Sequence, residues 1–226
     1  MNRRLVHNMN KFLTALLCVA LVLLTLCVSI ALPIYVRPFY YLQIEELNLP
    51  EATGYSKEEI KTAYDEVLDH LTLPNRTFGT GLFPHSEEGA AHFADCKVLF
   101  RFHAWVLLLS LAVVLILFIM KKKKTFVPSR PFGKHYLLTC GLGTLVYMGV
   151  IGGLAALDFE KAFVIFHSIF FPGKTNWMFD PRIDPIIYAM PETFFLRCGV
   201  LILVSVLSIS AGLCIAGLVL GKKKPN

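Results

Sequence analysis

Residues 104–124 read AWVLLLSLAVVLILFIMKKKK. Positions 104–120 carry no charge, and a bilayer core needs about 20 such residues in helical form. Four lysines, Lys121 to Lys124, then end the run. An uncharged stretch closed by a basic block reads as a membrane span leaving on the cytoplasmic side, where Lys and Arg accumulate. Working outward, the second span is taken as 97–120, and three further windows of similar length follow: 12–35, 136–157 and 198–220. The chain is 55% hydrophobic and 17% charged, with mean hydropathy +0.60, which excludes an ordinary soluble domain.

Charge asymmetry sets the expected orientation. The N-terminus 1–11, the loop 121–135 and the tail 221–226 hold 12 of the 22 bases and none of the 16 acids. They are expected inside. The segments 36–96 and 158–197 are then two parts of an extracellular cap which, counted with Lys97 and Arg101 at the outer end of the second span, has a net charge of −6, and the +6 of the whole chain is a topology signal that gives no support to nucleic-acid binding. The fold class expected is an all-α membrane protein of four transmembrane helices under this cap, in the plasma membrane, with both termini cytoplasmic. Arg3, Arg4 and Lys11 before the first apolar run resemble a signal peptide, but the run exceeds the 7–15 residues of a signal core and lacks a cleavage site, so it is read as a retained anchor. Cys18, Cys27, Cys140 and Cys214 fall in apolar spans and Cys96 and Cys198 near helix starts, a pattern of buried thiols, although a Cys96–Cys198 bridge stays open.

Within the cap, Ser56-Lys-Glu-Glu59 has the capping-box pattern, and Ile60, Ala63, Tyr64, Val67, Leu68 and Leu71 follow at helical spacing up to Pro74. A helix starting near Glu87 puts His92, Asp95, Cys96, Leu99 and His103 on one face. Gly149 and Gly153 in the third window form a small-xxx-small pair suited to close helix packing. Asp158 is a candidate N-cap for a short interfacial helix carrying Phe159, Phe163, Phe166, His167 and Phe170, stopped by Pro172-Gly173. The stretch that follows, to Phe195, is rich in both aromatics and prolines, as expected at a membrane–water boundary. Arg197 is within reach of Asp180, Asp184 or Glu192.

His92 and His167, one on each outer segment, converge by topology at the membrane boundary. Imidazole gives and takes protons near neutral pH, so the two are candidate acid and base. Asp95, Asp180, Asp184 and Arg101 are candidate supporting groups, and Phe93, Phe166, Phe170, Trp177 and Phe179 candidate walls of a substrate pocket. His85 is a secondary candidate. Arg101 and His103 also have the plain reading of interfacial anchors, and each histidine taken singly that of a structural residue held by hydrogen bonds. There is no G-x-S-x-G, H-E-x-x-H, paired C-x-x-C or phosphate-cradling glycine loop. His85, His92, Asp95 and His167 match no common metal-ligand spacing, so no metal and no cofactor is expected.

Four motifs carry a resemblance: SEEGAAHFADCK at 86–97, FHSIFFPG at 166–173, NWMFDPRIDPII at 176–187 and ATGYSKEEIKTAYDEVL at 52–68. Together they resemble the bacterial four-helix membrane protein family that includes the lipoprotein intramolecular transacylase. The resemblance covers nearly the whole chain and implies two catalytic histidines in an aromatic pocket at the cap–membrane interface, matching His92 in HFADCK and His167 in FHSIFF. It implies an acyltransferase that moves the sn-2 acyl chain of a diacylglyceryl lipoprotein to the amino group of its own N-terminal cysteine, with the diacylated lipoprotein and membrane lipid as partners. Where the closer family pattern has a β-branched residue after the acid, this chain has Cys96. The rival readings are a phospholipid acyltransferase or lipase using the same pair, and a non-enzymatic cap protein assisting a partner.

Overall fold

The computed structural model describes residues 3–222. Met1, Asn2 and the tail residues Lys223 to Asn226 lie outside the described residues, and with them most of the expected 221–226 segment. Ten α-helices and a 3₁₀ turn account for the regular structure, and there are no strands among the described residues. Four helices are long and apolar enough to cross a membrane: α1 (Arg3–Tyr35), α6 (Glu87–Lys122), α7 (Tyr136–Leu157) and α10 (Glu192–Lys222). Between them run α2 (Pro38–Tyr41), α3 (Gln43–Glu46), α4 (Leu49–Thr53), α5 (Lys57–Thr72), α8 (Phe159–Phe170) and α9 (Ile186–Ala189). Helix α6 shows why length and composition point to a bilayer. Its Val98, Phe102, Trp105 and Leu109 form one stripe and are all exposed, which water would penalise and lipid rewards.

The chain divides into two compact units. The first gathers residues 1–30, 104–153 and 202–226. Its loop after α6 is tied down rather than free: Phe126 is 1% exposed among Leu17, Leu117 and Tyr136, the Ser129 amide donates to Thr14 Oγ1 at 2.8 Å, and Thr14 donates in turn to the Asn10 carbonyl. Helices α7 and α10 approach closely, though not where the glycine pair suggested. A Cβ on Gly149 or Gly153 meets nothing, whereas one on Gly141 would lie 2.6 Å from Cys214 Sγ and 2.7 Å from the Ser210 carbonyl, and one on Gly152 2.7 Å from Leu203. The contact is thus made at Gly141, Gly152 and, against Leu138, Gly217. Spacing alone marks a close-packing face without saying which of several glycines lies on it.

The second unit, residues 31–103 and 154–201, contains the polar segments. Helix α5 starts on the expected box: Ser56 Oγ accepts from the Glu59 amide and the Glu59 carboxylate accepts from the Ser56 amide. Its apolar stripe, Ile60, Ala63, Tyr64, Val67, Leu68 and Leu71, is buried against Tyr40, Ile44, Leu49, Phe83, Phe93, Ile186, Ala189 and Phe194. Tyr40 and Tyr64 stack 3.7 Å apart, and the Tyr40 hydroxyl, fully buried, donates to the Ala189 carbonyl at 2.7 Å. That bond satisfies a polar group that burial would otherwise penalise. Arg37 pairs with Asp65 and Asp69 on α5, one turn apart, so the chain leaving α1 is fixed to the α5 flank. All six cysteines are free thiols; there is no Cys96–Cys198 bridge. Arg197 meets Glu46 at 2.5 Å instead of Asp180, Asp184 or Glu192, a partner 151 residues away that adjacency in sequence cannot suggest.

Candidate active site

The site is built from the start of α6, the end of α8 and the loop after α8, all within the second unit. Helix α6 begins at Glu87, and its start is organised by an acid from the other polar segment. Asp184, 3% exposed, accepts from the Ser86 amide and from the Ser86 hydroxyl, both at 2.7 Å. Ser86 Oγ accepts from the Gly89 amide at 2.8 Å, the N-cap bond that satisfies a first-turn donor. A Cβ on Gly89 would sit 2.5 Å from Asp184 Oδ1, so glycine is what admits the carboxylate. This clasp joins positions 98 residues apart and fixes the rotation of α6 that turns His92 inward. The sequence signal for it is Ser86-Glu-Glu-Gly89, a capping residue before acids.

Helix α8 is capped by Asp158, whose carboxylate accepts from the Lys161 amide at 2.9 Å, as the sequence suggested. His167 lies in its last turn, 6% exposed, with Nδ1 donating to the Phe163 carbonyl at 2.8 Å. In the neutral ring that bond leaves the lone pair on Nε2. Burial pushes the His167 imidazole below its usual pKa, and the Phe163 carbonyl offsets part of the shift.

The two imidazoles come together. His92, 7% exposed, and His167 have ring centroids 5.8 Å apart. Trp177 stacks on His167 at 4.4 Å, Phe163 lies 4.3 Å from it, and Phe179 stands edge-on to His92 at 5.6 Å. Phe171, 4% exposed, touches both rings, 5.0 Å from His92 and 5.7 Å from His167. Sequence reasoning missed Phe171 and Phe163 as walls, although both lie four residues from His167, where a helix brings neighbours together. Phe93 packs on Phe78 and Phe179 in the core beneath His92. Phe166 is edge-on to His167 at 5.5 Å and half exposed, while Phe170 lies tilted against Phe166 at 4.6 Å and is itself half exposed.

The other candidates take different roles. The Asp95 carboxylate does not hold an imidazole; it pairs with Lys174 and accepts from Asn176 Nδ2 at 3.1 Å, anchoring the loop that delivers Trp177. The Trp177 indole donates to the Lys174 carbonyl at 3.2 Å within that same loop. Asp180 caps its own turn and pairs with Arg182 at 2.7 Å, whose guanidinium holds the Asp180 carboxyl down at about 2. Asp184 is the helix clasp. Arg101 is exposed on α6. His85 is exposed too, its Nδ1 3.0 Å from Thr80 Oγ1 and its ring against Phe78. Among the described residues no three His, Cys, Asp or Glu side chains are grouped so as to hold a metal ion.

Two polar groups of these elements lack a complete set of partners. His92 Nε2 lies 3.4 Å from Cys96 Sγ, and its Nδ1 is buried with no hydrogen-bond partner in the protein. Asn176 Oδ1 is likewise buried and unpaired. Buried donors and acceptors are normally satisfied, so a titratable ring with an unpaired nitrogen beside a second such ring is suited to receiving a reacting group.

Curated protein sequences give no match. Among solved structures, the membrane-integral lipoprotein intramolecular transacylase Lit from Bacillus cereus superposes with a TM-score of 0.83 at 27% identity, over 93% of this chain and 94% of that one. A variant of the same protein with one histidine replaced by alanine matches at a TM-score of 0.80 and 25% identity, over 97% of each chain. A second, with histidine replaced by arginine, matches at 0.78 and 25%, over 95% of this chain and 92% of that one. The model of the lipoprotein intramolecular transacylase Lit family matches residues 15–195, most of the length and both histidine motifs, so the chain belongs to the Lit family of membrane-integral transacylases.

Proposed function

We propose that the protein moves the sn-2 acyl chain of a diacylglyceryl lipoprotein to the amino group of that lipoprotein's N-terminal cysteine, with His167 and His92 as the acid–base pair. The observation that carries the reading is the approach of two buried imidazoles to 5.8 Å inside one ring-walled unit, from segments 75 positions apart in the chain. Amine and ester belong to one molecule, so binding has only to fold the headgroup until they meet, which yields much of the advantage of an intramolecular reaction.

His167 suits the base, because its Nδ1–H is held by the Phe163 carbonyl and Nε2 is left with the lone pair. It takes the proton that the amine must lose in order to attack. The amine nitrogen then adds to the sn-2 carbonyl carbon, and collapse breaks the bond to the glycerol oxygen. That oxygen takes up the proton that His167 removed, relayed by the neighbouring His92, so that both rings end as they began. An amide and a free glycerol hydroxyl replace an ester and an amine, at unchanged total mass. Trp177, Phe171, Phe163 and Phe179 keep out the water that would hydrolyse the ester. The positive-inside pattern supports termini in the cytoplasm and the segments 36–96 and 158–197 as a cap at the outer face of a bacterial plasma membrane, with spans at 12–35, 97–120, 136–157 and 198–220.

Co-expression with a diacylated lipoprotein tests this, followed by mass analysis of its N-terminal peptide. Transfer of one acyl group from glycerol to the amine is expected with the wild-type chain and lost with His92→Gln or His167→Gln. Loss of an acyl group from phospholipid with no change in the lipoprotein overturns the reading.

A further inference from the structure

We propose that the lipid-facing side of α7, next to the α6–α7 loop, binds one anionic diacyl phospholipid, with the phosphate held by Arg130 and Lys134 and one acyl chain on each side of the stripe Thr139, Gly143 and Tyr147. These three residues recur every fourth position, so they share a face of α7 and extend along it for about 12 Å. Two cavities flank the stripe and share it, both within the first unit. One, of about 530 Å³, is bounded by Val19, Val22 and Leu23 of α1. The other, of about 620 Å³, runs along Leu138, Leu142 and Val146. Both reach the loop, where Pro131 lines the first and Phe132 and Lys134 line the second. Gly143 leaves room at the centre, since a Cβ there would meet nothing within 4 Å.

Charge at the loop end selects the headgroup. The segment 121–135 carries six bases and no acid, and the ion pairs among the described residues all lie elsewhere. Arg130 and Lys134 are both exposed. Their surroundings are felt at His135, where burial pushes the imidazole below its usual pKa and the charges of Lys121 and Arg130 push it further. A phosphate diester supplies the absent negative charge, because basic residues beside a bilayer attract anionic lipid. Phe132 marks the mouth of the second cavity. It is 91% exposed and held at φ 52°, a left-handed conformation that a bulky residue avoids, and its ring stands at the level where aromatics meet headgroups. Thr139, one turn into α7, puts a hydroxyl at the depth of the acyl esters. The Thr144 hydroxyl donates to the Cys140 carbonyl at 3.0 Å, whereas Thr139 makes no side-chain bond among the described residues and is free to donate to an ester carbonyl. A second copy of the chain fits this face poorly, because a two-fold contact here would bring two basic loops together.

The test is native mass spectrometry of the full-length protein in detergent, with phosphatidylglycerol, its single-chain lyso form or phosphatidylcholine of matched chain length added. One phosphatidylglycerol per chain is expected to be retained, at least about tenfold more tightly than phosphatidylcholine and more tightly than the lyso form. Lys134→Gln should weaken that preference about fivefold, the worth of one basic residue at a membrane surface. Lys123→Gln removes the same charge from the same loop but lines neither cavity, so it should change the preference less than about twofold. Gly143→Leu should abolish retention by filling the centre of the stripe, with a melting temperature in lipid-free detergent close to wild type; should that chain not fold, the two lysine variants decide the matter alone. Equal retention of the two diacyl lipids, equal effects of Lys123→Gln and Lys134→Gln, undiminished retention by folded Gly143→Leu, or a lipid-free dimer that excludes phosphatidylglycerol each overturns the proposal. None of these outcomes bears on the histidine chemistry, which stands or falls by its own experiment.

Discussion

The end of α5 and the meeting of α6 with α8 each bury histidine, and they differ in one respect. His70 is 8% exposed, its Nδ1 sits 3.0 Å from the Arg76 carbonyl, and Phe78 stands edge-on to its ring at 5.5 Å. His167 has almost the same surroundings: a backbone carbonyl on Nδ1 and aromatic rings about it. Burial and a bonded nitrogen therefore do not by themselves distinguish His70 from a histidine proposed to react. What separates them is company. Among the described residues no second imidazole is paired with His70, whereas His92 and His167 lie 5.8 Å apart with Phe171 against both. Sequence patterning did not single out His70, since a lone polar residue on a helix face carries no signal of its own burial.

The largest expected effect tests that contrast directly. His92→Gln and His167→Gln should each lower transacylation by roughly 10²–10⁴-fold, the worth of a general acid or base, with folding intact by thermal melt. His70→Gln should leave the rate near wild type; comparable losses at all three positions would break the distinction drawn here. Next in size, Asp184→Ala should lower stability by about 2–3 kcal/mol, because it removes a buried carboxylate that accepts two bonds from Ser86. Denaturation in detergent measures it, and Gly89→Ala should act in the same direction by crowding that carboxylate.

Smaller, but sharper in what it reports, is Trp177→Ala. Burial favours the neutral His167 ring and keeps its pKa below the ordinary value, so the base stays competent to lower pH than a solvated histidine does. Removing the indole stacked on it should raise that pKa toward the usual ~6.5, so the acid limb of the rate profile moves to higher pH. An unmoved limb would mean that His167 does not govern it. At the bottom of the scale, Asp180→Ala should leave activity and melting temperature at wild-type values, because the pair with Arg182 lies at the solvent-facing surface.

Much of the architecture was legible from the residues. Apolar run length forces helices across a bilayer, since lipid offers no partner to an open backbone, and the capping patterns at Ser56 and Asp158 state where α5 and α8 begin. The two imidazoles were legible as well, because both belong to compact motifs. Their supporting cast was not. Asp95, Asp180 and Asp184 look alike in sequence, as three acids near two histidines. In the fold the first anchors the Trp177 loop, the second closes its own turn and the third clasps the start of α6. Long-range pairing decides between them, and neither spacing nor composition encodes which of several equivalent partners a carboxylate meets. The same holds for the glycines of α7 and for Arg197.

By itself, then, the chain determined that it crosses a membrane as helices and carries a motif-borne histidine on each of its two polar segments, because hydrophobic length and local capping act on neighbours in sequence. Only the tertiary structure decided that those rings lie within 5.8 Å, which aromatics enclose them, and that a thiol touches one of them. Contacts of that kind depend on how packed helices rotate against one another, and that rotation is set by the sum of distant contacts, the Ser86–Asp184 clasp foremost among them.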